Sequence, residues 1–86
     1  MKHAGDDALD ALESLLVLIR RFDGLKENKR GTFYRKSVGF LHFHEDPAGL
    51  FADPKIDDEY RRFRVNTARE RDTLVRRIAE LLRRGK

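Results

Sequence analysis

A turn signal at Asp46-Pro47-Ala48-Gly49 stands between two runs in which apolar and polar residues alternate. Asp at the first position, Pro at the second and Gly at the fourth form the residue pattern of a type I turn. Alternation with a period of two is typical of strands that bury one face. The segment therefore predicts an antiparallel hairpin, with the cross-strand pairs Glu45–Leu50, His44–Phe51, Phe43–Ala52 and His42–Asp53.

A second turn, at Asp57-Asp58, predicts the register of the next strand independently. Both registers place the same apolar side chains on one face of the sheet. Because a slip of one residue would turn every side chain over, this agreement supports both registers. The second register pairs Lys55–Tyr60, Asp53–Arg62, Ala52–Phe63, Phe51–Arg64 and Leu50–Val65. The shared apolar face consists of Leu41, Phe43, Leu50, Ala52, Phe63 and Val65.

Two features of this segment depart from a regular meander. Lys36-Ser37 is not favourable for a two-residue turn, and a three-residue connection places Phe33 in the core and Tyr34 beside Phe40. Proline cannot donate to a sheet ladder, so we expect the third strand to be bulged or broken at Pro54.

Apolar residues recur at helical spacing near both ends of the chain. The first helix is predicted over about 7–22, with Arg20 and Arg21 in its last turn, where they complement the helix dipole. The second is predicted over about 67–84, where Thr67 and Glu70 form a capping box. The strands between them are predicted over about 32–35, 38–45, 50–56 and 60–65.

These elements predict a single α+β domain over residues 1–86. Its order is α-β-β-β-β-α, and it forms a two-layer sandwich. In this architecture two helices cover one face of a four-stranded antiparallel meander.

Length and composition exclude several classes of protein. A chain of 86 residues is too short for a TIM barrel or a doubly wound nucleotide-binding sheet. It contains no Cys, which excludes disulfides and thiol catalysis. The longest apolar run, Leu15 to Ile19, is far shorter than the roughly 20 residues of a membrane span. We therefore expect a cytoplasmic protein with no membrane partner, and the excess of Arg over Lys is typical of a GC-rich bacterial genome.

Polar and aromatic side chains on the face opposite the predicted core form a candidate ligand-binding site. His42, Asp53 and Arg62 make one row across three strands, and an Asp in that position stays ionised and favours protonated His. In this site His42 is the acid–base group or ligand, Asp53 orients it, and Arg62 binds an anion. The alternative is that the face is purely structural. The candidate residues are His42, His44, Asp53, Arg62, Arg64, Phe40, Phe51 and Tyr34.

His42 and His44 are also weak candidates for metal ligands, because residues i and i+2 of a strand share a face. A metal site needs further ligands, and His3 is the one other histidine, so neither a metal nor another cofactor is predicted. No Ser or Thr has a His and an Asp partner in the predicted registers. We therefore assign no catalytic residue and favour a role that is not enzymatic.

The C-terminal third of the chain is basic, with a net charge of +7 over residues 60–86. A basic surface of this kind is one way to contact phosphates. Acidic stretches interrupt the positive field, so a solvated helix face is favoured over nucleic-acid binding. The candidate nucleic-acid contacts are Arg69, Arg76, Arg77, Arg83 and Arg84.

Apolar residues outside the predicted core favour an interaction with another protein. Val17 and Leu18 lie off the core stripe of the first helix, and Val38, Phe40 and Phe51 lie on the open sheet face. Short chains gain stability by oligomerising, and exposed apolar patches mark interaction sites. The favoured function is therefore a module that forms a homo-oligomer or binds a protein partner, with ligand binding and nucleic-acid binding as the alternatives.

The stretch from Gly31 to Leu82 resembles the bacterial "luciferase-like domain" family, whose function is uncharacterised. The resemblance rests on the strand Gly39-Phe40-Leu41-His42-Phe43-His44, on the short apolar strand after it, and on Phe63-x-Val65-x-Thr67 leading into an amphipathic helix. It implies an α+β fold and a role for His42 and His44. It implies neither light emission nor particular catalytic residues.

Overall fold

The computed structural model describes residues 2–84. Within this part of the chain the fold has three helices and seven short or medium strands. In chain order the elements are β1 (Lys2–His3), α1 (Asp6–Ala11), α2 (Glu13–Arg20), β2 (Lys26–Glu27), β3 (Phe33–Arg35), β4 (Val38–Asp46), β5 (Gly49–Ile56), β6 (Glu59–Tyr60), β7 (Phe63–Arg64) and α3 (Ala68–Arg84).

The hairpin of β4 and β5 forms the centre of an antiparallel sheet. It turns at Pro47-Ala48, as predicted, and all four of its predicted cross-strand pairs are present. Strands β1 and β3 pair with the outer edge of β4, and β2 extends the sheet beyond β3. Strands β6 and β7 pair with the outer edge of β5. The α+β class and the antiparallel sheet are thus confirmed, whereas the predicted count of four strands is wrong.

One hydrophobic core lies between the helices and the sheet. The first predicted helix is divided at Leu12, whose φ of −96° and ψ of 2° depart from helical values. Leu12 is nevertheless fully buried. The capping box of α3 is present, since the Glu70 amide donates to Thr67 Oγ1 at 3.1 Å and the Thr67 amide donates to the Glu70 carboxylate at 3.1 Å.

The connection between β3 and β4 corrects the prediction for Phe40. Lys36 and Ser37 have φ values of 53° and 68°, as in a two-residue type I′ turn, so the expected three-residue connection is wrong. Strand β4 instead holds a bulge, because Phe33 pairs with Leu41 while Tyr34 pairs with Gly39. Phe40 is left between these pairs, is only 4% exposed, and joins the core. It therefore does not lie on the open face.

Pro54 does not break its own strand, contrary to the prediction. Strand β5 is continuous, and Pro54 pairs with Leu41 of β4. The Pro54 carbonyl accepts a hydrogen bond from the Arg61 amide at 2.9 Å. Because the N–H and C=O of one residue point to the same side of an antiparallel strand, the missing donor of Pro54 faces the outer edge. The interruption therefore falls on the strand that pairs with this edge of β5, where it separates β6 from β7.

Candidate functional site

Strand β1 brings the chain's three histidines together on the open face of the sheet. Its pairing with β4 places His3 directly opposite His44. The rings of His3 and His44 stack with centroids 4.6 Å apart and planes 29° apart. The His42 ring lies edge-on to both, at 6.0 Å from His44 and 6.1 Å from His3. We refer to His3, His42 and His44 as the histidine cluster.

The position of His3 in this cluster was not predicted from the sequence. A strand of two residues is too short to show an alternating pattern, so nothing in the sequence around Lys2 and His3 predicts their pairing. The only available signal was that the chain's two other histidines lie on one predicted strand face.

Asp53 links the histidine cluster to Arg62. Its carboxylate is buried and accepts two hydrogen bonds from Arg62, from Nε at 3.1 Å and from Nη2 at 2.9 Å. Two charge-assisted bonds of this kind offset the desolvation of a buried carboxylate. The other contact of Asp53 is Nδ1 of His44, at 3.1 Å. Asp53 is thus paired with His42 in the backbone register but approaches His44 through its side chain.

Two imidazole nitrogens of the cluster are buried and have no hydrogen-bond partner within residues 2–84. They are Nδ1 of His42 and Nδ1 of His44, since the close approach of His44 to Asp53 lacks hydrogen-bonding geometry. Buried polar atoms are normally hydrogen-bonded, and exceptions concentrate where a ligand, water or ion binds.

Partial burial and nearby positive charge favour the neutral form of His42 and His44. Desolvation is the main cause that lowers the pKa of His42, and the nearby charges of His44 and His3 lower it further. Desolvation likewise lowers the pKa of His44, although the Asp53 carboxylate opposes the effect. His42 and His44 therefore take up protons less readily than exposed histidines do.

The aromatic side chains of the open face are covered by cations. Phe51 is only 7% exposed, and the guanidinium groups of Arg62 and Arg64 lie 5.8 and 5.5 Å from its ring centroid. Tyr60 packs on His42 with ring centroids 4.5 Å apart, and Lys55 Nζ lies 5.1 Å from the Tyr60 ring centroid. Phe51 is therefore not available to stack on a planar ligand.

Gly39 makes room for Tyr60 beside the histidine cluster. A Cβ atom at position 39 would lie 3.0 Å from the Tyr60 hydroxyl. A larger residue there would push the phenol away from its position near His42. The bulge in β4 is what turns Gly39, and not Phe40, toward this face.

Two of the eight candidate residues do not lie beside the histidine cluster. Phe40 belongs to the core, and Tyr34 pairs with Lys26 and lines a cavity beside β2. The structure does bring six of the eight candidates onto the open face near one another, and it adds His3, Lys55 and Tyr60. The six are His42, His44, Asp53, Arg62, Arg64 and Phe51.

Within residues 2–84, no three His, Asp or Glu side chains are arranged to hold a metal ion. The stacking of His3 on His44 gives a physical reason. Ligands of one ion must aim their nitrogens at a common point about 2.0–2.1 Å away, whereas the nitrogens of stacked rings lie side by side.

The arginines of α3 do not form one basic surface. Arg76 is paired with Asp72, and Arg77 is paired with Glu80 at 2.9 Å. Arg76, Arg77 and Arg83 line a cavity of about 740 Å³, whereas Arg84 lines a different one of about 640 Å³. Arg69 is exposed near the start of the helix. Carboxylates between the arginines, here those of Asp72 and Glu80, are expected of a helix face that is exposed to solvent.

Comparison with protein-family models, curated proteins and solved structures finds no match. The resemblance to the luciferase-like domain therefore stays a prediction. None of the helices between residues 2 and 84 is long and apolar enough to cross a membrane.

Proposed function

We propose that this domain is a binding module whose open sheet face binds an oxyanion, either a phosphate or a carboxylate group. The observation that carries the proposal is the convergence of basic side chains on that face. Six basic residues lie there: His3, His42, His44, Lys55, Arg62 and Arg64. Within residues 2–84, the acidic residues beside them include Asp53, which already binds Arg62, Asp46 at the hairpin turn, and Glu70, which lies 3.7 Å from Arg64.

Arg62 is positioned to contact such a ligand. Asp53 holds its guanidinium by Nε and Nη2, which leaves N–H groups of the fork to donate elsewhere. The side chain remains 49% exposed. Its neighbour Arg64 lies over the Phe51 ring, and its one ion pair within residues 2–84 is a long contact with Glu70, at 3.7 Å.

The histidine cluster makes binding depend on pH. A protonated imidazole donates from both ring nitrogens, whereas a neutral one donates from a single nitrogen. An oxyanion beside the cluster favours the protonated form and must bind more tightly as the histidines take up protons.

A small ligand or a single anionic group is favoured over a nucleic-acid strand. Sheets that bind single strands present aromatic rings on which bases stack. Here Phe51 is buried under two guanidinium groups, and His3 and His44 stack on each other.

The predicted cytoplasmic location stays a prediction.

The proposal is tested by calorimetric titration of the protein with inorganic phosphate at pH 6 and pH 8. We expect saturable binding of phosphate and, in a parallel titration, of acetate. The binding of acetate, whose charge is the same at both pH values, should be tighter at pH 6. Arg64→Gln should weaken it by about tenfold, the effect of losing one charge-assisted hydrogen bond. Arg69→Gln removes an exposed arginine from α3 and is the matched control, expected to bind as the parent does.

Equal weakening by Arg64→Gln and Arg69→Gln would show a non-specific charge effect and overturn the proposal. So would an absence of phosphate and acetate binding at both pH values. Saturable binding of Zn²⁺ without any response to phosphate would replace the oxyanion site by a metal site.

A further inference from the structure

Helix α2 carries a second, outward stripe in addition to the one it buries. Its core stripe is Leu12, Leu15, Leu16 and Ile19, all at most 1% exposed. Ser14, Val17, Leu18 and Arg21 recur at spacings of three and four residues and are all exposed. Val17 is 39% and Leu18 45% exposed. A helix that packs against one core needs only one apolar stripe, so the outward stripe needs a separate explanation.

The apolar surface around Leu18 continues onto α3. Leu18 and Ser14 line a groove of about 540 Å³ together with Ala68 and Val75. Val75 is itself only partly buried. Ser14 and Leu18 of the outward stripe thus lie on one side of a shallow, mainly apolar channel between the two helices.

The charges at the two ends of α2 are complementary. At its N-terminal end, the carboxylates of Asp10 and Glu13 share the guanidinium group of Arg30, which leaves an excess of one negative charge. Arg20, in the last turn, binds Glu27 and reaches back to Glu13. At its C-terminal end Arg21 is exposed and makes no ion pair within residues 2–84.

We propose that the outward stripe of α2 packs antiparallel against α2 of a second copy of this chain. A two-fold axis near Val17 and Leu18 brings each Arg21 toward the acidic N-terminal end of the partner's helix. Ser14 is small enough to allow the helices to approach closely. An interface of this kind is isologous, meaning that the same patch is used by both copies. If an unrelated protein packed there instead, the charges at the two ends of α2 would not need to complement each other.

Disulfide trapping tests the axis directly, because the chain contains no Cys. Val17→Cys places one thiol of each copy near the proposed axis, and mild oxidation should give a covalent dimer. Val38→Cys is the matched control, because Val38 is likewise an exposed valine, on β4, at 54%, and oxidation should give no covalent dimer. Adding Leu18→Glu to Val17→Cys should abolish the covalent dimer.

Sedimentation equilibrium of the cysteine-free chain provides the second measurement. We expect a monomer–dimer equilibrium whose dissociation constant rises at least tenfold in Leu18→Glu and also rises in Arg21→Glu, but not in Val38→Glu. Circular dichroism checks that each variant is folded. A chain that remains monomeric up to about 1 mM, or a dimer that Leu18→Glu leaves unchanged, would overturn the proposal.

Discussion

His42 and His44 are the residues at which the fold most clearly departs from what packing alone requires. Each has a buried Nδ1 with no hydrogen-bond partner in the described part of the chain, and burial lowers the pKa of each below the ordinary value of 6.5. A Leu or Val at either position would fill a sheet face without that cost. Their presence beside Asp53 and Arg62 is therefore better explained by binding than by stability.

The free energy of unfolding should fall as the pH drops through 6.5. The unfolded chain binds protons at the ordinary pKa of His, whereas folding lowers the pKa of His42 and His44. The stabilisation from keeping these rings neutral is fully present above pH 6.5 and is lost as the pH falls through the folded-state pKa. Urea denaturation between pH 8 and pH 5.5 measures this effect.

His42→Gln should flatten that pH dependence, because the neutral amide cannot take up a proton. Arg69→Gln, which changes an exposed arginine of α3, should leave it as in the parent. If His42→Gln and the parent lose the same stability between pH 8 and pH 5.5, His42 is not held neutral by the fold.

Among the elements, the long regular strands were predictable and the short or irregular ones were not. The register of β4 against β5 followed from the turn at Asp46-Pro47-Ala48-Gly49 and from alternation over several residues. The capping box at Thr67 and Glu70 was equally visible, because its two residues act on each other locally. Local signals of this kind do not depend on the rest of the fold.

The bulge at Phe40 could not be predicted from the sequence because its cause is not local. Alternation alone puts Phe40 on the face of His42, and the strand must gain one residue for Phe40 to reach the core. The bulge lets the large aromatic ring of Phe40 enter the core, at a place where Phe40 and Leu81 line the same cavity. The membership of the candidate site could not be predicted for the same reason, because His3 joins it through β1, which has no sequence pattern.

Phe40→Ala tests the placement of Phe40 in the core. Truncating a buried Phe costs about 3–5 kcal/mol, so we expect a large fall in the urea midpoint. Val38→Ala, two residues earlier on the same strand and 54% exposed, is the control and should cost much less. If both variants lose a similarly small amount of stability, the placement of Phe40 in the core is wrong and Phe40 lies on the open face.

At the scale of the whole molecule, the sheet has two unlike faces. One face is covered by the helices and forms the core. The other carries the histidine cluster, the buried Asp53 with its Arg62, and cations lying over Phe51 and Tyr60. The fold thus concentrates basic groups on one surface while the opposite side of the molecule supplies stability.

The proposed dimer through α2 and the proposed anion site are independent of each other. The outward stripe of α2 lies on a helix, whereas the histidine cluster lies on the open sheet face. Variants at Leu18 should therefore leave phosphate binding unchanged, and variants at Arg64 should leave the oligomeric state unchanged.

The most direct test of the anion site is a titration of the histidine imidazole resonances by NMR. The pKa values of His42 and His44 are measured once in chloride and once in phosphate at the same ionic strength. If phosphate binds beside the cluster, both pKa values rise in phosphate, because the anion stabilises the protonated rings. Identical pKa values in the two salts would contradict the proposal that this face binds an oxyanion.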